Sequence, residues 1–173
     1  GGVGSCCVLL SKLYGAEVVA CASTPAKLAK LREWGADHVI DYTKADLAKG
    51  IWALYEKPHR RGYSGGVDVV VNFTGGDSWV SSLKCLRRGG RLLTCGATAG
   101  YDPKTDIRYI WTFELKILGS NGWAPDDLTA LLDLVAEEKL DPVIDLSLPL
   151  EETAKGVKLL RDREVIGKIV ITP

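Results

Sequence analysis

The sequence predicts an α/β fold built on a doubly wound parallel sheet, and three observations carry that prediction. Short apolar, β-branched runs alternate with amphipathic stretches of helical length. Gly and Pro residues punctuate the joins between them. The chain also opens on Gly1-Gly2-Val3-Gly4-Ser5, a glycine-rich run that leads straight into a helical pattern.

Taken in order, Ser5 to Tyr14 places Val8, Leu9 and Leu13 on one helical face, and Gly15 supplies the stop. Glu17 to Cys21 reads as a buried parallel strand. Thr24 and Pro25 start a second helix, with Leu28, Leu31 and Trp34 facing inward before Gly35 ends it. His38 to Asp41 is a strand and Ala45 to Tyr55 a helix. Lys57 to Gly66 is a basic, Gly-rich loop, most simply a solvated connection; the lesser alternative makes Arg60 and Arg61 a ligand-facing patch. Val67 to Phe73 is a strand, Ser78 to Leu86 a helix, and Gly90 to Cys95 and Leu115 to Ser120 are strands. Asp126 to Glu138 carries Leu128, Leu131, Leu132 and Val135 as a helical stripe. After Leu140 the pattern changes: Val143 to Leu150 reads as a strand, Leu150 to Arg163 as a helix and Lys168 to Thr172 as a last strand. The chain is therefore divided into residues 1–142 and a tail, 143–173.

Composition narrows the function classes. With 173 residues, 46% of them hydrophobic, the chain can bury a sizeable core. Lys plus Arg equal Asp plus Glu at 22 each, so no net field draws in nucleic acid or an anionic membrane. No apolar run is long enough to span a bilayer. Cys6, Cys7, Cys21, Cys85 and Cys95 lack C-x-x-C spacing and sit in apolar surroundings, which reads as reduced core thiols of a cytoplasmic protein and no zinc clip. His38 and His59 stand apart from Cys and carboxylate clusters and read as structural or solvated. The five Trp residues are scattered as packing positions.

The opening run carries the chemistry. Gly1 and Gly4 have the G-x-x-G spacing of the second and third glycines in a dinucleotide loop, so a pyrophosphate would rest on the amides of Gly2, Val3 and Gly4 at the helix start. The first glycine of that loop and the strand before it are not in the sequence. An acid at the end of the following strand would bind the adenosine ribose hydroxyls and repel a 2′-phosphate. Here the run is Cys21-Ala22-Ser23-Thr24, with no acid. Ser23 and Thr24 can donate to phosphate oxygens and Lys27 can add charge, which favours NADP over NAD. Thr24 is equally suited to cap its helix, and the two roles are compatible.

The stretches GGVGS, KLAKLREWGADHVIDY, GVDVVVNFTGG, LRRGGRLLTCGATAG, LKILGSN and IGKIVI resemble, in this order, the cofactor-binding half of the medium-chain dehydrogenase/reductase superfamily. That superfamily has a Rossmann-type sheet and includes zinc alcohol dehydrogenases and quinone oxidoreductases. CGATAG and LKILGSN are closer to the zinc-binding alcohol dehydrogenases than to the zinc-free quinone reductases. The resemblance implies further cofactor contacts. Tyr42 would lie on the adenosine side. Asn72, Phe73 and Thr74 would line the cleft, with Gly96, Ala97 and Thr98 near the nicotinamide. Ser120 and Asn121 would end the sheet's last strand, and Lys168 would reach the diphosphate. Asn72 and Thr98 could instead serve turns.

The resemblance also sets expectations for the whole. Family sheets order their strands 3-2-1-4-5-6, so without the first, central strand two inner edges lack partners; either the protein has more residues than this sequence, or another segment fills the gap, or the sheet slides closed. Parts of the tail return in the family to an amino-terminal domain that carries the zinc ligands, proton relay and substrate pocket, so residues 143–173 must find other partners here. The edge strand near Leu115–Gly119 would pair across a two-fold axis as a homodimer. The implied activity of the intact enzyme is hydride transfer between NADPH and an alcohol or carbonyl, with zinc held only outside this chain. The alternatives are a zinc-free NADPH quinone or enone reductase and a non-catalytic NADPH-binding module.

Overall fold

The computed structural model describes all residues 1–173. The chain folds as two units, one formed by residues 1–39 with 123–173 and the other by residues 40–122.

In the first unit, α1 (Gly2–Leu13) begins three residues earlier than its hydrophobic periodicity indicates, because Gly1 serves as the N-cap and nothing about Gly2 or Gly4 opposes helical backbone. Ser5 is buried there, its hydroxyl donating to the Gly1 and Gly2 carbonyls at 3.2 and 3.1 Å. β1 (Val19–Ala22) follows and pairs with β2 (His38–Asp41). Between them α2 (Pro25–Glu33) starts as its sequence predicts, with Thr24 Oγ1 accepting from the Lys27 amide and Pro25 at the first turn. Val8, Ala20, Ala22, Leu31 and Ala36 form the core of this unit, with Leu28 and Trp34 packed against it. Asp37 clamps the strand starts, accepting from Lys12 Nζ at 2.8 Å and from the Val18 amide at 2.7 Å.

The tail finds its partner in itself. β6 (Ile144–Pro149) and β7 (Lys168–Thr172) form a separate parallel pair, Leu146 opposite Ile169 and Leu148 opposite Ile171. A 3₁₀ turn (Leu150–Glu152) and α7 (Thr153–Arg161) make the crossover. Gly156 of α7 sits where a Cβ would stand 3.3 Å from Leu148 and 3.4 Å from Ile169, so the helix lies close on this pair. α6 (Pro125–Ala136) has the apolar stripe read from sequence, yet Leu128, Leu131, Leu132 and Val135 remain exposed.

The second unit holds α3 (Leu47–Tyr55), β3 (Val67–Asn72), α4 (Ser78–Cys85), β4 (Leu86–Thr94), α5 (Ile107–Thr112) and β5 (Lys116–Gly119). Its three strands form a parallel sheet in the order β3-β4-β5. β4 starts earlier than its apolar run because Leu86 already pairs with Val67 before a bulge. Arg87 and Arg88 pin this approach to Asp68 and Glu114. The short α5 escapes the sequence reading: Ile107, Tyr109, Ile110 and Trp111 are strand-favouring residues. Helix wins because Asp106 caps the Arg108 amide, while Tyr109 and Phe113, four apart, stack with centroids 5.8 Å apart on the core of Leu83, Leu86, Leu92 and Leu115.

Each of these ladders lies within its own sheet: β1-β2 is a two-stranded pair and β3-β4-β5 a three-stranded sheet. β5 is an outer strand and all four of its residues are exposed. No helix is long and apolar enough to cross a membrane.

Candidate cofactor site

The start of α1 is a donor cluster. The first backbone hydrogen bond of the helix runs from the Ser5 amide to the Gly1 carbonyl at 3.0 Å. The amides of Gly2, Val3 and Gly4 therefore stand at the first three helical positions, where no preceding turn offers an acceptor. The positive end of the helix dipole adds to them. Lys168, at the head of β7, lies against this tip: a Cβ built on Gly2 would be 2.8 Å from Lys168 Cε and 3.0 Å from its Nζ. Only glycine at position 2 leaves that ammonium room beside the amides. Three free donors and a cation about a bare backbone suit a diphosphate, so the residues present fit the group the sequence implies.

At the end of β1, Ser23 is half-buried and its hydroxyl has no hydrogen-bond partner within the chain. Thr24 Oγ1 is committed to its cap. Lys27 turns its Nζ to the Arg163 carbonyl at 2.7 Å, leaving two ammonium donors unused. The neighbouring Cys21 is exposed rather than a core residue, yet loss of solvation at its thiol pushes it up to about 11, so it stays neutral near pH 7.

In the second unit the sheet register brings Asn72, Thr94 and Gly119 level, so the segments beyond them leave from one edge. Carboxyl ends of parallel strands are where such sheets take ligands. Asn72 is 5% exposed and builds this edge without facing solvent. Its Nδ2 donates to Ser78 and Ser82 hydroxyls at 3.0 and 2.8 Å, and its Oδ1 accepts from the Thr74 and Gly75 amides, both at 2.9 Å. All four of its hydrogen-bonding positions are used, which is the turn-forming role open to it from sequence. The Thr74 carbonyl then accepts from the Ala99 amide at 2.7 Å, and the Gly76 amide donates to Gly100 at 2.8 Å. Gly75 makes this closure possible: its φ is +67°, and a Cβ there would stand 2.3 Å from the Gly100 carbonyl oxygen.

The result is a cleft of about 350 Å³ whose lining includes Gly75, Trp79, Thr94, Gly96, Ala97 and Tyr101. Phe73 and Thr74 are half-buried beside it, and the Phe73 carbonyl lies 3.1 Å from where Gly96 would carry a Cβ. Thr98 is exposed, and so are Tyr42, Ser120 and Asn121. The Ser120 amide donates to the Thr94 carbonyl at 2.9 Å, extending the sheet edge. Sequence reasoning missed Trp79 as a lining residue, because its helical phase marks it only as core.

His38 pairs with Glu17 at 3.0 Å, and His59 is exposed in its loop. No three His, Cys, Asp or Glu side chains cluster as metal ligands would. The chain's own residues therefore do not fit a zinc site.

Three comparisons place this geometry. The family described as zinc-binding dehydrogenase matches residues 2–137. Acryloyl-coenzyme A reductase of Sulfurisphaera tokodaii is 32% identical across all of this chain and 48% of its own length. A solved NAD-dependent alcohol dehydrogenase superposes with a TM-score of 0.87 at 35% identity, covering all of this chain and 48% of that one. A 2-octenoyl-CoA carboxylase reductase solved with NADP and 2-octenoyl-CoA gives 0.85 at 26% identity, covering 99% and 41%. The chain spans about half the length of these relatives. With a Rossmann-like α/β fold and a glycine-opened helix tip in the family's order, the chain belongs to the zinc-binding dehydrogenase family and is its cofactor-binding domain.

Proposed function

We propose that the chain binds NADP, and that it is the cofactor half of an oxidoreductase that moves hydride between NADPH and an alcohol or carbonyl carbon. One observation carries the reading: Lys168 stands beside the free amides of the α1 tip, with glycine at position 2 leaving it room. When bound, the nicotinamide supplies the hydride chemistry. The chain's residues bind and orient: the α1 amides and Lys168 hold the diphosphate, while Ser23 and Lys27 take the 2′-phosphate that no acid at the end of β1 repels. Tyr42, Phe73, Thr74, Gly96, Ala97, Thr98, Ser120 and Asn121 remain proposed as cofactor contacts.

The relatives divide on two points. One is named NAD-dependent and another holds NADP; one is an alcohol dehydrogenase and two are acyl-CoA reductases. Reduction of a conjugated thioester or enone is therefore the second reading, favoured by the 32% identity to acryloyl-coenzyme A reductase. Turnover by this chain with no added domain would instead show that it carries a complete reaction site.

Cofactor choice is tested by titrating NADPH and NADH against Trp fluorescence, since Trp79 lines the strand-end cleft. Tighter binding of NADPH is expected. Equal or tighter NADH binding overturns the reading of Ser23 and Lys27.

A further inference from the structure

The Lys27 contact crosses most of the chain to reach the turn after α7. That turn closes in a Schellman pattern, with the Arg163 amide on the Leu160 carbonyl at 3.2 Å and the Glu164 amide on Leu159 at 3.0 Å. The pattern places Arg163 at φ +60°, where glycine is the usual residue. Three other positions in the chain carry a side chain at positive φ, and each is Glu: Glu56, Glu114 and Glu138. Only here is the residue a cation, and here it sits beside another cation.

The main chain of Arg163 is what meets Lys27, and its exposed side chain leaves from that same turn. Arg163 makes no ion pair within the chain. Of the flanking acids, Asp162 is engaged by Arg161 at 3.1 Å, and Glu164 is the remaining carboxylate. The Lys27 ammonium lies 2.7 Å from the Arg163 carbonyl, so Arg163 Cα is within roughly 5 Å of it by backbone geometry. Any phosphate held by the two unused donors of Lys27 is thus within the span of an arginine side chain.

We propose that Arg163 is a second arm for the 2′-phosphate of NADP, brought to the end of β1 by the hydrogen bond between Lys27 and the α7 turn. The inference rests on the NADP reading and adds to it a specificity residue supplied by the carboxyl-terminal segment. A guanidinium offers paired donors to phosphate oxygens, whereas Lys27 acts as a point charge. Arg163 has no place in holding the diphosphate or the nicotinamide, so its effect falls on the 2′-phosphate alone.

Arg163→Gly is the informative variant, because glycine is the residue this turn geometry favours and the chain will fold at least as well. Calorimetric titration of the 173-residue chain with 2′,5′-ADP and with 5′-AMP separates the phosphate from the rest of the nucleotide. For Arg163→Gly the expected result is a loss of about tenfold in affinity for 2′,5′-ADP, as removal of one charge-assisted contact gives. No change is expected for 5′-AMP, nor any fall in Tm, and Arg163→Lys should recover part of the loss. If wild type prefers 2′,5′-ADP and the variant keeps that preference, the role of Arg163 is overturned while the NADP reading stands. If wild type shows no preference, the NADP reading itself fails. Equal weakening of both ligands also overturns the proposal, since a structural role would produce it.

Discussion

Gly2→Ala separates binding from folding at the helix tip, because the two should move in opposite directions. The new Cβ would stand 2.8 Å from Lys168 Cε, 3.0 Å from Nζ and 3.1 Å from Cγ. All three atoms belong to a long, exposed side chain, so Lys168 yields rather than the backbone. Folding then loses little. Alanine in a helical turn is favoured over glycine, so stability is unchanged or higher by up to about 1 kcal/mol. The cofactor loses more. Displacing Lys168 removes one charge-assisted contact to the diphosphate, worth about 1.5–3 kcal/mol when well formed. Exposure holds it at the low end, which corresponds to roughly tenfold in Kd. Thermal unfolding and NADPH titration, on the same preparation, read the two effects. An affinity within twofold of wild type, at unchanged Tm, would refute the placement of the diphosphate between the α1 amides and Lys168.

Acid stability and self-association give two further tests. The Lys12 hydrogen bond, with the Val18 amide, holds the Asp37 carboxyl below the usual carboxylate range. A lowered folded value means that its stabilisation is complete above the unfolded value, about 3.9, and is lost as pH falls through the folded one. Asp37→Asn should therefore flatten the fall in Tm as pH drops below about 4; parallel curves for variant and wild type would contradict the clamp. The open edge of β5, where Ile117 and Leu118 are exposed, is proposed to pair with a second copy. Leu118→Lys should then sediment as a monomer at concentrations where wild type dimerises, and a monomeric wild type would dismiss the proposal.

The parts of the fold legible in sequence are those where local pattern and tertiary packing agree. Thr24 and Pro25 announce the start of α2 through cap chemistry that needs no distant partner, and the structure places the start there. Val67–Asn72 and Lys168–Thr172 are unbroken β-branched runs with a single reading. The misses share a physical cause. α5 is built from strand-favouring residues and is decided by Asp106 and by the stacking of Tyr109 on Phe113, contacts invisible until the chain turns back on its core. β4 extends back to Leu86 because Asp68 and Glu114, 18 and 28 residues away, anchor Arg87 and Arg88. The pairing of β6 with β7 could not be read from either segment, since both are apolar runs that accept any parallel neighbour.

The candidate site divides along the same line, and this bears on how its residues are to be tested. Its amide donors follow from glycine spacing alone, because a helix start leaves those groups unpaired whatever the rest of the chain does. Its side chains do not. Asn72, at the end of β3, and Lys27, in the first turn of α2, have the right chemistry, but one spends all four of its hydrogen bonds on the turn it builds and the other is tethered to a carbonyl 136 residues away. Substituting Asn72 leaves buried hydroxyls and amides unsatisfied, so lost binding there would report a damaged edge rather than a lost contact. Lys168 and Arg163 are free of that confusion, since neither side chain supports the fold around it. At these exposed cations, Lys168 beside the α1 tip and Arg163 beside Lys27, loss of affinity and loss of structure can be told apart.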